Sequence, residues 1–336
     1  MTWRCLILKY HDLKEFIIFT KTIAIISIHS YNQDHKAVWD KFIDEISCGV
    51  FLFKRDFMSY HSDRFADCSL VIYRNDQLCA VFPANESDEA IYSHQGLTFG
   101  GLLCRANESY DNITDIVSKV FDFYRKLGFK ALYVKLMPSF FDSHLIKQQH
   151  LIWSKLGGIN VHKERTMSID FDNYRIHKSK LKRFRKYQNF GFQIVKTTEF
   201  SIFWNSILIP RLQSKHGVAP VHSLDEIQRL ANLFPENILQ YCILREGEVL
   251  AGVTLFVNDG IVKSQYGATT DAGQDCYALD FLFISLIQQY DSLGFRYFDM
   301  GSVRSDHPSG INEGLWKQKQ ELGCSEYFLP HFEFQL

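Results

Sequence analysis

Two stretches of the chain carry the same succession of turn, strand and helix signals. Leu70 to Val81 reads LVIYRNDQLCAV and Tyr241 to Gly252 reads YCILREGEVLAG. Each sets a polar two-residue turn between two apolar runs, the signature of a β-hairpin. At the same separation Ser93-His94-Gln95-Gly96 is answered by Ser264-Gln265-Tyr266-Gly267. Each copy then has an amphipathic helix, over Val117 to Leu127 and Leu282 to Leu293, followed by the strands GFKALYVKLMP and GFRYFDMGSV. Leu127-Gly128-Phe129 and Leu293-Gly294-Phe295 mark the two helix ends, where glycine readily takes a left-handed conformation. The pattern predicts a duplicated α/β (α+β mixed) unit, each copy a mixed, mostly antiparallel sheet flanked by helices.

Between the copies lies RIHKSKLKRFRKYQ, Arg175 to Gln188, in which Leu181, Phe184 and Tyr187 share one helical face amid a run of lysine and arginine. We place the domain boundary before it, giving residues 1–170 and 171–336. A further helix is predicted over Phe200 to Leu212, and Ser223 with Glu226 forms a capping box for another. The intervening His216-Gly217-Val218-Ala219-Pro220-Val221-His222 is then a loop held between two helices, a place where functional side chains gather.

A chain of 336 residues, 46% apolar and 15% aromatic, has material for two cores. Its net charge of -1 steers it toward neither DNA nor an anionic membrane. Eight cysteines without a close CxxC pair argue against a thiolate metal site and suit a reducing cytoplasm. The opening MTWRCLILKYHDLKEF lacks the layout of a signal peptide, and Ile23–Ile28 is too short to span a bilayer. The expectation is a cytoplasmic chain without a transmembrane segment, with attachment to the inner face of the membrane left open.

No Ser/His/Asp order, Cys/His pair or HExxH spacing supports covalent hydrolysis or a metal enzyme. Two loops suit close ligand approach. QGLTFGG, Gln95 to Gly101, has three glycines, and ATTDAGQDCY, Ala268 to Tyr277, leads into a helix whose free N–H groups favour a phosphate or oxyanion. Ala278 and Leu279 are therefore expected beside an acyl donor, along with Gln265 and Tyr266 of the preceding strand. Acylation of an amine needs a proton acceptor, for which His222, Asp299 and Glu313 are candidates, and a cation such as Lys319 for phosphate or carboxylate. His94, Gln95, Thr98, Gly100, Gly101 and Asn312 are candidates for holding the acceptor.

The ordered set YHSDRF (60–65), FPAN (82–85), SHQGLTFGG (93–101), RFRK (183–186), PVHS (220–223), LFP (233–235), SQYG (264–267), ALD (278–280), FDMG (298–301), INEGL (311–315) and QKQELG (318–323) resembles the FemAB-like branch of the GNAT acyltransferase superfamily, related to Fem-type peptidyltransferases. The resemblance runs from about residue 36 to the C-terminus. It implies two GNAT-like folds packed together, a substrate cleft at their junction and an acyl donor near the helix N-terminus of the second copy. It further implies transfer of an acyl group from acyl-CoA to an amine, such as an amino sugar or cell-envelope precursor. Transfer from aminoacyl-tRNA and noncatalytic ligand binding are the alternatives. The chain departs from the family at Gln320 and Leu322, and has no room for the helical hairpin that tRNA-using Fem enzymes can carry.

Overall fold

The computed structural model describes residues 25–305 and 310–336; the opening segment, with Cys5 and His11, and the side chain of His216 lie outside the described residues. The first half runs β1 (Ile26–Ser30), α1 (Lys36–Glu45), α2 (Arg55–Met58), β2 (Ala66–Asp67), β3 (Leu70–Arg74), β4 (Gln77–Phe82), β5 (Asn85–Ser87), β6 (Ala90–Tyr92), β7 (Leu103–Cys104), α3 (Tyr110–Lys126), β8 (Ala131–Lys135), α4 (Ser143–Lys155) and β9 (Ile159–Asp170). The second runs α5 (Lys178–Tyr187), β10 (Gln193–Thr197), α6 (Ser201–Phe203), α7 (Ile209–His216), α8 (Leu224–Leu233), β11 (Ile238–Arg245), β12 (Glu248–Asn258), β13 (Ile261–Thr269), α9 (Asp271–Asp275), α10 (Ala278–Ser292), β14 (Tyr297–Ser302), α11 (Glu313–Glu321) and β15 (Ser325–Gln335). The loop ATTDAGQDCY thus contains a short helix, α9, capped by the Thr270 hydroxyl.

The duplication is visible in backbone detail. Both hairpins turn through two consecutive residues of positive φ, Asn75 (47°) with Asp76 (62°) and Glu246 (54°) with Gly247 (84°). That geometry matches the right-handed twist of the flanking strands. Each hairpin also carries a register shift at the same place, after Ile72 and after Ile243. Gly128 and Gly294 end α3 and α10 with φ of 92° and 78°. Beyond them, β8 and β14 run parallel to β6 and β13, pairing Ala90 with Ala131 and Ile261 with Tyr297.

Among the named strands these are the two parallel pairings; the rest are antiparallel. The strands β10-β11-β12-β13-β14-β9-β15-β8-β6-β5-β2 form one sheet, and β1-β3-β4-β7 a smaller one. The copies differ here, since β12 continues into pairing with β13 whereas β4 pairs with β7 in the smaller sheet. The halves are joined by exchange: β9 lies between β14 and β15, and β15 pairs in turn with β8 of the first half. The core under the second hairpin packs Leu282, Leu286 and Ile287 of α10 with Val253 and Leu255 of β12. Around the first hairpin, Trp39, Phe82 and Trp153 are fully buried.

Gly100 shows how tightly the first copy is closed. Its N–H donates to the Lys135 carbonyl, and a Cβ there would lie 2.1 Å from the Ser93 carbonyl oxygen. Overpacking of that kind costs about 1–3 kcal/mol. Gly100→Ala should lower the urea midpoint accordingly, and an unchanged midpoint would show that the loop yields.

Candidate functional site

The second copy opens where its parallel strands part. Lys263 and Asp299 are the last paired residues of β13 and β14. Immediately beyond, each strand carries an extra residue relative to its outer neighbour. Gln265 is bulged against β12, and Met300 against β9, followed by Gly301 at φ 78°. Bulges end pairing and re-aim side chains, so the strands diverge and leave a cavity of about 500 Å3 between them. Lys263, Gln265, Met300, Gly301, Glu164 and Lys319 are among its walls, with Leu279 of α10 and Thr98 of the first copy.

Asp299 does not line this cavity. It is 2% exposed and accepts from Thr166 Oγ1 (3.0 Å), Lys263 Nζ (2.9 Å) and the Gly301 N–H (2.8 Å). Its carboxylate therefore holds a lysine of the cavity wall rather than facing a ligand. Lys319 Nζ donates to the carbonyls of Gly301 (3.0 Å) and Ser302 (2.7 Å). Burial brings its pKa down to about 8, opposed by the charge of Asp299 and assisted by that of Lys263. Glu164 pairs with Lys135 (2.9 Å) and His331 (3.7 Å). Burial raises the Glu164 pKa, but those two partners outweigh it and hold the carboxyl below its ordinary value.

In the first copy the equivalents of Lys263 and Asp299 are Tyr92 and Tyr133, whose rings stack 4.8 Å apart. There the divergence is bridged again, with Gly100 pairing parallel to Leu136 and the Lys135 N–H donating to Ser93 Oγ. The space left beside it is about 250 Å3.

A third cavity of about 280 Å3 adjoins the fork cavity, sharing Thr98, Val221 and Gln265 with it. Its walls include the rings of Phe57, Tyr60, His61, Phe65, His222 and Phe256. His222 is 4% exposed, stacks on Tyr60 and places Nδ1 2.6 Å from the Tyr266 hydroxyl. That hydroxyl accepts from the His222 N–H at 3.2 Å, and we assign its own hydrogen to the short bond with Nδ1. The imidazole is thereby assigned as the tautomer with hydrogen on Nε2. Burial pushes its pKa down to about 4, so His222 is uncharged at neutral pH, and in this tautomer Nε2–H is a donor while the proton-accepting Nδ1 is taken up by Tyr266.

The remaining expected residues divide. Gln95 and Thr98 line cavities, whereas Gly100 and Gly101 line none of the three. His94 sits beside the smallest cavity, stacked on His61 at 4.9 Å, and burial takes its pKa down to about 3. Tyr266 is hydrogen-bonded to His222, and Ala278 is buried in the α10 packing while Leu279 reaches the fork cavity. Asn312 caps α11 through its side chain, and Glu313 is exposed in that helix's first turn. Lys263, Glu164, Tyr60, His61 and Arg64 also line cavities; the fork places the first two, and the YHSDRF run holds the others. Among the described residues no cluster of three or more His, Cys, Asp or Glu could hold a metal ion.

No family model matches the chain, and no curated protein matches it in sequence. Solved structures do. FemX superposes with a TM-score of 0.67 at 11% identity, over 92% of this chain and 97% of that one. L-PGS from Bacillus licheniformis gives 0.53 at 13%, over 76% and 81%. A tandem GNAT protein from the clavulanic acid biosynthesis pathway gives 0.51 at 8%, over 93% and 98%. The chain shares the fold of FemX and of a tandem GNAT protein; at these identities the likeness concerns the fold alone.

The tautomer assignment is testable in solution. The imidazole nitrogens of His222 should show hydrogen on Nε2 by NMR and no titration above pH 5. Titration near the ordinary histidine value, or hydrogen on Nδ1, would contradict the assignment.

Proposed function

We propose that this chain is an N-acyltransferase that takes an acyl group from a coenzyme A thioester in the fork cavity and passes it to an amine in the adjoining aromatic cavity. The observation that carries the reading is that these two cavities meet at Thr98, Val221 and Gln265. A thioester entering by one and an amine by the other come together there, and such juxtaposition supplies much of the acceleration in a bimolecular transfer.

On this reading residues 171–336 hold the donor and the first half supplies the acceptor cleft. The N-terminus of α10 and Arg183, whose guanidinium lies 4.5 Å over the Tyr277 ring just before it, provide positive potential for phosphates. Lys319 and Lys263 stabilise the oxyanion that forms on the thioester carbonyl. Asp299 is a positioning residue that fixes Lys263. The amine nitrogen bonds to the carbonyl carbon, the C–S bond breaks, and the proton released by nitrogen ends on the departing sulfur. The Nε2–H of His222 orients the acceptor. We place that acceptor among envelope-precursor amines such as amino sugars, a choice supported by the family resemblance. Work at the cytoplasmic face of the membrane fits such an acceptor. No helix among the described residues is long and apolar enough to cross a bilayer.

A second reading, transfer from aminoacyl-tRNA, draws on one observation. Lys178, Lys182, Arg185 and Lys186 are exposed on α5, a face that attracts any polyphosphate backbone.

Titration calorimetry with acetyl-CoA and with charged tRNA separates the readings. Acetyl-CoA should bind, and Lys319→Met should weaken it about 10-fold, the scale of one charge-assisted hydrogen bond. The Lys319 pKa is lowered to about 8, so its charge is complete at pH 6.5 and lost as the pH rises through 8. Donor affinity should fall over that range in the native protein and less so in the variant. Binding of charged tRNA without acetyl-CoA would overturn the first reading in favour of the second.

A further inference from the structure

Two residues that line the aromatic cavity, His61 and Gln265, each carry a buried acceptor atom without a hydrogen-bond partner. His61 is 1% exposed, and its Nε2 lies 3.2 Å from the Gly96 carbonyl. A carbonyl only accepts, so Nε2 carries the hydrogen and Nδ1 is a bare lone pair. That Nδ1 has no hydrogen-bond partner. The other atom is Gln265 Oε1, buried and likewise without a partner. His61 and Gln265 both line this cavity, and Gln265 stands where it meets the fork. Leaving a buried acceptor unpaired costs about 1–3 kcal/mol, so each such group calls for an explanation.

The charges around the cavity restrict what supplies the missing hydrogens. No carboxylate is among its lining residues, and Arg64 is its one formal cation. Arg64 is bound to Glu226 at 2.6 Å, which also accepts from the Ser223 N–H. One face of Tyr60 has the Arg64 guanidinium 5.3 Å from its centroid, and His222 stacks on the same ring at 5.4 Å. A ring so engaged has little capacity left for cation–π binding of an ammonium. Burial also lowers the pKa of His61, leaving it uncharged at neutral pH. Neutral imidazoles, aromatic walls and a committed ion pair favour a ligand that carries hydrogen-bond donors but no charge.

We infer that the acceptor is a hydroxylated ring amine bound as its free base, with an amine N–H donating to Gln265 Oε1 and a ring hydroxyl donating to His61 Nδ1. This deepens the proposed function and rests on it. A hydrogen bond to Gln265 leaves the nitrogen lone pair free to face the fork, where the acyl carbon is expected. An alkylammonium such as the side chain of free lysine meets no counter-ion in the cavity and is excluded.

The probe is D-glucosamine, compared with L-lysine and cyclohexylamine at pH 8.5, with binding followed by protein-observed NMR on the full chain. Glucosamine should bind at least about 10-fold more tightly than either competitor, the factor that one hydrogen bond to a buried group can supply. His61→Phe and Gln265→Leu should each reduce that affinity about 5- to 10-fold, with thermal melts checking that they fold. His61→Asn, which keeps an acceptor near the position of Nδ1, should recover most of it. Gln265→Glu should shift preference toward lysine by supplying the missing anion. Lysine binding as well as glucosamine to the native protein, or Phe, Leu and Glu variants that all bind like it, would overturn the inference. Acetyl transfer to amines, assayed separately, tests the proposed function: transfer to lysine in preference to glucosamine sinks this inference and leaves the acyltransferase reading standing.

Discussion

A buried ion pair stands at the crotch of the fork. Lys263 and Asp299 face each other across the final rung of the β13–β14 pairing, with 13% and 3% of their side chains exposed. Two charges withdrawn from water to this degree persist only with further hydrogen bonds around them. Thr166 Oγ1 and the Gly301 N–H provide these to Asp299. Their arrangement fixes where pairing stops and bends the β14 backbone so that the carbonyls of Gly301 and Ser302 turn to Lys319. The first copy shows the alternative: the stacked rings of Tyr92 and Tyr133 occupy the same rung, and the strands are bridged again at Gly100 and Leu136. One duplicated framework thus yields one open fork and one closed one.

The closed fork contributes to the open one. The loop it displaces, Gln95 to Thr98, is a partition shared by all three cavities: Gln95 and Leu97 line the second and third, and Thr98 the first and third. The Gln95 N–H and side chain are anchored by Asn85, which is fully buried. Glu164, on the exchanged strand β9, ties the fork cavity to Lys135 and His331 beside the smallest cavity. Strand exchange at β9 and β15 joins these cavities through one sheet, since each half lends the other a central strand.

Local chemistry was legible in the chain, and non-local geometry was not. The turns at Asn75-Asp76 and Glu246-Gly247, the glycines ending α3 and α10, and the Ser223–Glu226 capping box follow from residues within a few positions of each other. The tandem architecture followed from their repetition. The bulges at Gln265 and Met300 depend on what the neighbouring strands do, and no motif announces them. The sequence offers Asp299 as a candidate proton acceptor, but the partner strand β9 brings Thr166 against its buried carboxylate. His222 was correctly seen as held in its loop, yet its tautomer depends on a tyrosine far along the chain. QGLTFGG divides in the same way, with Gln95 to Thr98 reaching the cavities and Gly100 and Gly101 meeting neighbouring strand atoms.

On the proposed function the open fork of the second copy, and not the closed fork of the first, receives the acyl donor. A crystal structure with bound acetyl-CoA tests it most directly. The thioester should lie between β13 and β14, its carbonyl toward Lys319 and its acetyl group at the Gln265 junction. Density for the thioester beside Tyr92 and Tyr133, with the fork at Lys263 and Asp299 closed to it, would contradict the account.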